Sequence, residues 1–327
     1  MTTRRPYRAR HTGLIAAVML TSATMTACGG SAATDTGAAA HGFPLTISSC
    51  GKDVTFTTPP KRAVTVGSIA APLIAAAGAA DRVVTRTFET APFPGQYADA
   101  LRNAEIIAPT AELAREEIIS RTPDVVVSFE GAAVKPEDLA AANIPLLITR
   151  GYCKDAAGTF DDVFADIELY GKLFGTEQVA KDNAAALRSR VTAVTDRHPA
   201  GARQRPAAAL ILSRDGSTLN AYGSTSTVHH QMRLLGLDNV FGDVAKRSFQ
   251  ANTETLIARN PEVIILLTQG DQTPESARAA LRARAELGSV QAISADRLIV
   301  VPFGYTGPGP VAVEGLEVLD SKLGALG

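Results

Sequence analysis

The sequence predicts an α/β fold of two Rossmann-like lobes, each built on a mostly parallel sheet, joined by one long rigid helix. Three observations predict it. The stretch Glu116-Glu-Ile-Ile-Ser-Arg-Thr-Pro-Asp-Val-Val-Val127 recurs 138 residues later as Glu254-Thr-Leu-Ile-Ala-Arg-Asn-Pro-Glu-Val-Ile-Ile265. Each copy reads as a short amphipathic helix, a break at proline, and an apolar run of the kind that makes a buried parallel strand. Between the copies, residues 176–198 contain no Gly or Pro and are rich in Ala, Lys, Arg and Gln. At about 1.5 Å per residue such a helix spans about 35 Å, enough to bridge two lobes. The expected organisation is therefore a first lobe over 43–175, a bridging helix over 176–198 and a second lobe over 199–327.

The opening is a targeting segment and stands outside the fold. Arg4, Arg5, Arg8 and Arg10 form a basic region, Leu14 to Leu20 an apolar one, and Met25-Thr-Ala-Cys28 a small-residue cleavage site ending in cysteine. That ending resembles a bacterial lipoprotein box, which implies a signal peptide over 1–27 and a lipid on Cys28. Arg4-Arg5 hints at twin-arginine export, although the rest of that signature is poor. Residues 28–42 are rich in Gly, Ala, Ser and Thr and read as a flexible tether. With Cys28 assigned to lipid, Cys50 and Cys153 are an even pair in an oxidising compartment, where a disulfide is the default and two buried free thiols the alternative.

Phe43 to Thr57 alternates apolar and polar residues around Cys50-Gly51, as in a hairpin or a pair of edge strands. Ala63 to Val66 follows as a core strand, then a helix through Leu73 and Ile74 to Gly78, and a second strand over 81–86. The first repeat copy supplies a helix and the strand 125–129, after which come a helix over 137–142 and a strand over 144–148 leading to Cys153. Phe160, Val163, Phe164, Ile167 and Leu173 have helical spacing up to Gly175. The second lobe opens with a buried strand over 207–212 and a shorter one over 218–222, then a helix holding His229 and His230. The second repeat copy, a helix over 274–287, a strand over 298–301, a loop over 303–310 and a helix over 311–326 complete it.

Composition narrows the function classes. The first 27 residues carry four arginines and no acid, and removing them leaves 28 basic against 33 acidic residues, with no basic run afterwards. Nucleic acid is therefore not an expected partner. No G-x-S-x-G elbow, P-loop, dinucleotide fingerprint, H-E-x-x-H or C-x-x-C occurs. The four histidines after the signal leave the first lobe with only His41, too few ligands for a site that captures bare zinc or manganese. A binding module fits better than an enzyme, with a hydrolase on the same scaffold as the alternative class.

A helix that feeds a parallel strand runs antiparallel to it, so its N-terminus lies at the carboxyl edge of the sheet, where open α/β sheets bind ligands. Glu116 and Glu254 then stand on the ligand-side rims, although helix-dipole stabilisation alone also accounts for them. The residues just beyond the expected strands are the cleft candidates: Ser68, Phe88, Phe93, Phe129, Arg150, Tyr152, Arg214, Tyr222, His229, Gln269, Phe303 and Tyr305. Arg150 and Arg214 suit an anionic ligand or are ordinary surface arginines. Tyr222 and Tyr305 suit ring stacking, haem ligation or packing at the lobe edge, and His229 or His230 suits haem ligation or a solvated helix start.

The lipoprotein-like signal, the two lobes, the connecting helix, and Glu116 and Glu254 each seven residues before Pro123 and Pro261 together resemble a known family. It is the class III periplasmic binding proteins for iron chelates, haem and cobalamin. The likeness runs from about Phe43 to the C-terminus and includes Pro59-Pro60-Lys-Arg62 ahead of the first core strand. The resemblance implies a monomeric lipoprotein on the outer face of the cytoplasmic membrane, without a cofactor or metal of its own. Its cargo would be an iron chelate of the siderophore type, delivered to an ABC permease and its ATPase, with Glu116 and Glu254 docking on the permease. The cysteine pair and Thr159-Phe-Asp-Asp-Val-Phe164 are most similar to actinobacterial members, some of which are proposed to carry a deazaflavin precursor. A cargo containing iron or cobalt would bring its own metal. The single rigid helix implies only small lobe movement on binding.

Overall fold

The computed structural model describes residues 42–89, 92–108, 112–154, 156–198, 204–213 and 215–326. The signal segment, Cys28, all of the expected tether except Gly42, and Arg214 lie outside the described residues. No helix among the described residues is long and apolar enough to cross a membrane.

The first lobe begins with the antiparallel hairpin β1 (Leu45–Ser49) and β2 (Lys52–Phe56). Its two-residue turn places Cys50 at φ 47° and Gly51 at φ 80°, the left-handed pair that matches the twist of hairpin strands. Five parallel strands follow: β3 (Ala63–Val66), β4 (Val83–Thr87), β5 (Glu105–Ile106), β6 (Val125–Ser128) and β7 (Leu146–Ile148). Between them run α1 (Ala70–Ala76), α2 (Gly95–Ala100), α3 (Arg115–Ser120) and α4 (Pro136–Ala140). Sheet order is β5-β4-β3-β6-β7, so successive strands leave β3 on opposite sides and the switch point falls between β3 and β6. The second strand is shorter than its sequence suggests, because Asp81 and Arg82 belong to a 3-10 turn, Ala80–Arg82, ahead of β4.

Helices α5 (Phe160–Phe174) and α6 (Glu177–Thr195) connect the lobes. Thr159 caps α5 in a reciprocal box with Asp162, and Gly175 ends it at φ 75°. The two helices pack closely at Gly171, where an added Cβ would stand 2.3 Å from that of Ala180. α6 carries the chain across with 19 helical residues, about 28 Å. It bonds to both sides: Asn183 donates to the Ala76 carbonyl at 2.8 Å, and Arg190 makes a two-pronged ion pair with Glu317 at 2.6–2.8 Å.

The second lobe holds β8 (Arg205–Leu212), β9 (Leu219–Tyr222), α7 (Thr227–Leu234), β10 (Leu237–Asn239), β11 (Ser248–Gln250), α8 (Thr253–Arg259), β12 (Val263–Thr268), α9 (Pro274–Arg282), α10 (Gln291–Ser294), β13 (Leu298–Pro302) and α11 (Val311–Gly324). The helix expected over 274–287 divides into α9 and a 3-10 turn, Ala285–Leu287. Sheet order is β11-β9-β8-β12-β13, with β10 beside the start of β8. β8, β12 and β13 are parallel, while β9 and β11 are antiparallel additions on one edge.

The repeated motif forms the same local structure twice. In each copy a short helix, α3 or α8, is followed by a left-handed residue, Thr122 (φ 46°) or Asn260 (φ 41°), then proline and a buried strand. The arginine before that residue is ion-paired in both copies, Arg121 with Glu105 and Arg259 with Asp243, each at 2.5 Å. Arg62, from the Pro-Pro-Lys-Arg segment, donates to the carbonyls of Arg121 and Thr122, and Asp124 accepts the backbone N–H groups of Lys61 and Arg62.

One apolar cluster runs through one face of each of the two larger sheets and the connectors. It includes Leu73 and Ile74 of α1, Ile167 and Leu173 of α5, Ala184 and Leu187 of α6, and Val313 and Leu316 of α11. The loop Gly307-Pro-Gly-Pro310 of the second lobe lies flat on the first: added Cβ atoms at Gly307 and Gly309 would meet Ile69 at 2.6 and 2.8 Å. An added Cβ at Gly151 would stand 2.1 Å from that of Pro308. The lobes are thus packed together at the base of the cleft as a single core is packed.

Candidate functional site

The carboxyl ends of the parallel strands from both lobes face one cavity of about 420 Å³. From the first lobe come Gly67 and Ser68 after β3, Phe88 after β4, Phe129 after β6, and Tyr152 beyond β7. From the second come the β8 end and Ser213, Asn220 and Tyr222 of β9, Arg247 and Ser248 at the start of β11, Gln269 after β12 and Phe303 after β13. They include the ends of β3 and β6 in the first lobe and of β8 and β12 in the second, which flank the change of strand order, the location at which open α/β sheets take ligands. The cavity lies within the size range of small-molecule sites.

Its walls are aromatic. The Phe88 and Phe129 rings stack at 5.8 Å, Phe129 meets Tyr152 at 5.7 Å, and across the cleft Tyr222 lies 6.5 Å from Phe303. Arg247 places its guanidinium carbon 5.0 Å from the Tyr152 ring centre, a cation–π contact between lobes. Among the described residues, no acidic side chain lines the cavity, and Arg247 has no carboxylate partner. Burial pushes the phenols of Tyr152 and Tyr222 above the usual range, and the Arg247 charge opposes that rise in both. Among the described residues the site therefore presents stacking surfaces, hydroxyl and amide groups, and the Arg247 cation, able to donate a planar fork of hydrogen bonds.

Of the residues singled out in the sequence, Ser68, Phe88, Phe129, Tyr152, Tyr222, Gln269 and Phe303 come together here. Arg150, Tyr305, His229 and Phe93 do not line the cavity, and each has other partners. After β7 the chain tightens into a 3-10 turn, Arg150–Tyr152, in which Tyr152 reaches the cavity. Arg150 instead donates its backbone N–H to buried Asp166 at 2.9 Å and holds Nε 3.5 Å from the same carboxylate. The Tyr305 hydroxyl donates to Glu314 at 3.4 Å, its carbonyl accepts from Gln231 at 2.9 Å, and the backbone of Gly315 closes over it. His229 stands 3.2 Å from the Asn239 side-chain amide, and Phe93 lies under Arg86. His230 packs edge-on to Phe160 of α5 at 5.3 Å.

Gly67, Ser213, Asn220, Arg247 and Ser248 line the cavity without having been singled out from the sequence. Gly67 has a local signal, a glycine directly after a core strand, and its φ of +89° requires one. Arg247 has none, because β11 is three residues long and its edge position is set by tertiary pairing.

The rim acids are placed by the same connections. The Ala133 backbone N–H, five residues past the end of β6, donates to Glu112, two residues before the cap of α3. Ala251 donates to Leu219 at 2.8 Å, and Leu219 pairs with Leu212, the last residue of β8. Both helix starts thus lie at the carboxyl edges of their sheets. The Glu116 side chain is 71% exposed and pairs with Arg115 at 2.6 Å, and Glu254 is exposed. The disulfide Cys50–Cys153 joins the hairpin to the end of the turn carrying Tyr152.

No curated protein matches the sequence. Among solved structures, the chain is similar to an ABC-type Fe3+-hydroxamate transport system protein of Saccharomonospora viridis, with 33% identity over 86% of this chain and 99% of that one and a TM-score of 0.77. It shares its fold with a periplasmic haem-binding protein of Pseudomonas aeruginosa (19% identity, 80% and 92% covered, TM-score 0.67). It also shares it with the periplasmic vitamin B12 binding protein of Vibrio cholerae (18%, 82% and 98%, TM-score 0.62). A family described as periplasmic binding protein matches residues 64–305. Those residues contain both sheets, the connecting helices and every strand end that faces the cavity, and the chain belongs to that family of solute-binding proteins.

Proposed function

We propose that the chain captures an iron chelate of the hydroxamate, siderophore type in the interlobe cavity and delivers it to the permease of an ABC importer. One observation carries the choice of cargo: among the described residues, Arg247 is the one guanidinium lining the aromatic cavity, and no carboxylate lines it. Such a site matches a compact organic molecule whose negative charge is gathered on oxygens, as it is around a hydroxamate-bound ferric ion. The likeness to the S. viridis protein supports the same cargo class. Haem is less well served. None of the histidines among the described residues lines the cavity, and burial opposes the phenolate form through which Tyr152 or Tyr222 would ligate iron.

In this reading the protein acts outside the cytoplasm, as a monomer held to the outer face of the cytoplasmic membrane by lipid on Cys28. Glu116 and Glu254, exposed on the two rims, meet cationic partners on the permease. The sequence contains no tryptophan, so tyrosine emission reports on the cavity through Tyr152 and Tyr222. Titration with a ferric trihydroxamate should quench it saturably. Arg247→Ala should weaken binding about 10–100-fold, as expected for loss of a charge-assisted hydrogen bond, while leaving the unfolding temperature in place. Quenching by hemin or cobalamin but not by ferric hydroxamates would overturn the choice of cargo.

A further inference from the structure

A second cavity, of about 350 Å³, lies behind the first lobe's cavity wall, between the N-terminal hairpin and the ends of β6 and β7. Its apolar walls include Val54, Leu146 and Ile148, and exposed Lys52 and Lys135 also line it. Among the described residues, Phe129 is the only one that lines both cavities. Its ring contacts Phe88 at 5.8 Å and Tyr152 at 5.7 Å, packs against the aliphatic cluster that includes Val66 and Leu146, and lies against Gly67, where an added Cβ would stand 3.0 Å from Cδ1. A side chain with no hydrogen bond to break turns about χ1 against packing forces only. Beyond it, the hairpin wall is fixed by the Cys50–Cys153 disulfide to the residue after Tyr152, so the space behind the ring does not depend on the hairpin staying docked by itself.

We infer that Phe129 is a partition that sets the largest cargo the interlobe cavity accepts, with the hairpin cavity as an annex for an apolar substituent once the ring is displaced. This rests on the interlobe cavity being the cargo site. It makes Phe129 a size-specificity residue, in contrast to Arg247, which reads charge. Its position just past β6 gives it this role, because there it borders both the cargo cavity and the space under the hairpin.

The test uses two fluorescent probes of one chemistry and different size, anilinonaphthalene sulfonate and its covalent dimer bis-ANS, both aromatic anions suited to Arg247 and the ring walls. In Phe129→Ala the ratio of dimer to monomer affinity should rise at least tenfold over wild type. Adding Val54→Phe, which fills the annex from β2, should reverse that rise, whereas Val54→Phe alone should leave monomer binding unchanged. An unchanged ratio in Phe129→Ala, or a rise that survives Val54→Phe, overturns the inference. If the alanine variant does not fold, Phe129→Leu should raise the ratio at least threefold, and an unchanged ratio there overturns it equally. The readouts separate the two readings: failure of wild type to bind ferric hydroxamates removes the proposed cargo, while the dye ratio still judges the partition.

Discussion

Replacing Asp166 by asparagine should flatten the pH dependence of stability between pH 5 and pH 8. Asp166 is 3% exposed within α5 and accepts the Arg150 backbone N–H at 2.9 Å, with the Arg150 side chain at 3.5 Å. Burial raises its carboxyl from 3.8 to about 7; Arg150 opposes the rise and Asp162 adds to it. Tyr170, whose phenol is itself pushed far up by burial and by this carboxylate, faces it from the next turn of the helix. The folded protein therefore keeps a proton that the unfolded chain releases above about pH 4. The corresponding stability is complete below the unfolded value and is lost as pH rises through 7. At about 1.4 kcal/mol per pH unit, the loss between pH 5 and pH 8 is roughly 2–3 kcal/mol. Urea unfolding of wild type and Asp166→Asn at both pH values measures it, and wild type should lose that much more than the variant. Equal losses would mean that Asp166 is charged in the folded state throughout and that burial does not govern it.

Two further outcomes are expected. The double variant Glu116→Ala, Glu254→Ala should bind cargo as wild type does in tyrosine-fluorescence titration and fail to support uptake in cells carrying the cognate permease; loss of affinity would place these acids in the pocket or the core. Replacing Cys50 and Cys153 by alanine opens a loop with a sequence separation of 103. That should lower unfolding free energy by about 2–5 kcal/mol, and an unchanged urea midpoint would show that apolar packing alone holds the hairpin.

The parts of this fold readable from sequence are those whose signals are local. Thr159 with Asp162 marks the start of α5 and Gly175 its end, since capping and left-handed geometry depend on a few neighbouring residues. The repeated helix-proline-strand unit was readable for the same reason, and helix polarity alone put Glu116 and Glu254 at the carboxyl edges. β5, β10 and β11 were not readable, because two or three residues carry no periodicity and acquire strand geometry only from a neighbour. The site divides along the same line. Residues one or two steps past a buried core strand, such as Ser68, Phe129 and Gln269, reach the cavity. Arg150 and Arg247 show the limit: a tight turn and a buried carboxylate occupy the first, and an edge strand delivers the second.

The apolar cluster shared by both sheets and the two connecting helices has a consequence for how cargoes are told apart. A protein whose halves swing freely discriminates by how well closure completes around each ligand. We expect the angle between the halves to change little here, because opening the cleft widely would expose Ile69 beneath the glycine-proline loop and part α11 from α6. With so little movement, selection would fall to side-chain rotation in a cleft of nearly constant width, and such a receptor would be retuned by exchanging wall residues one at a time, with its two halves left in register.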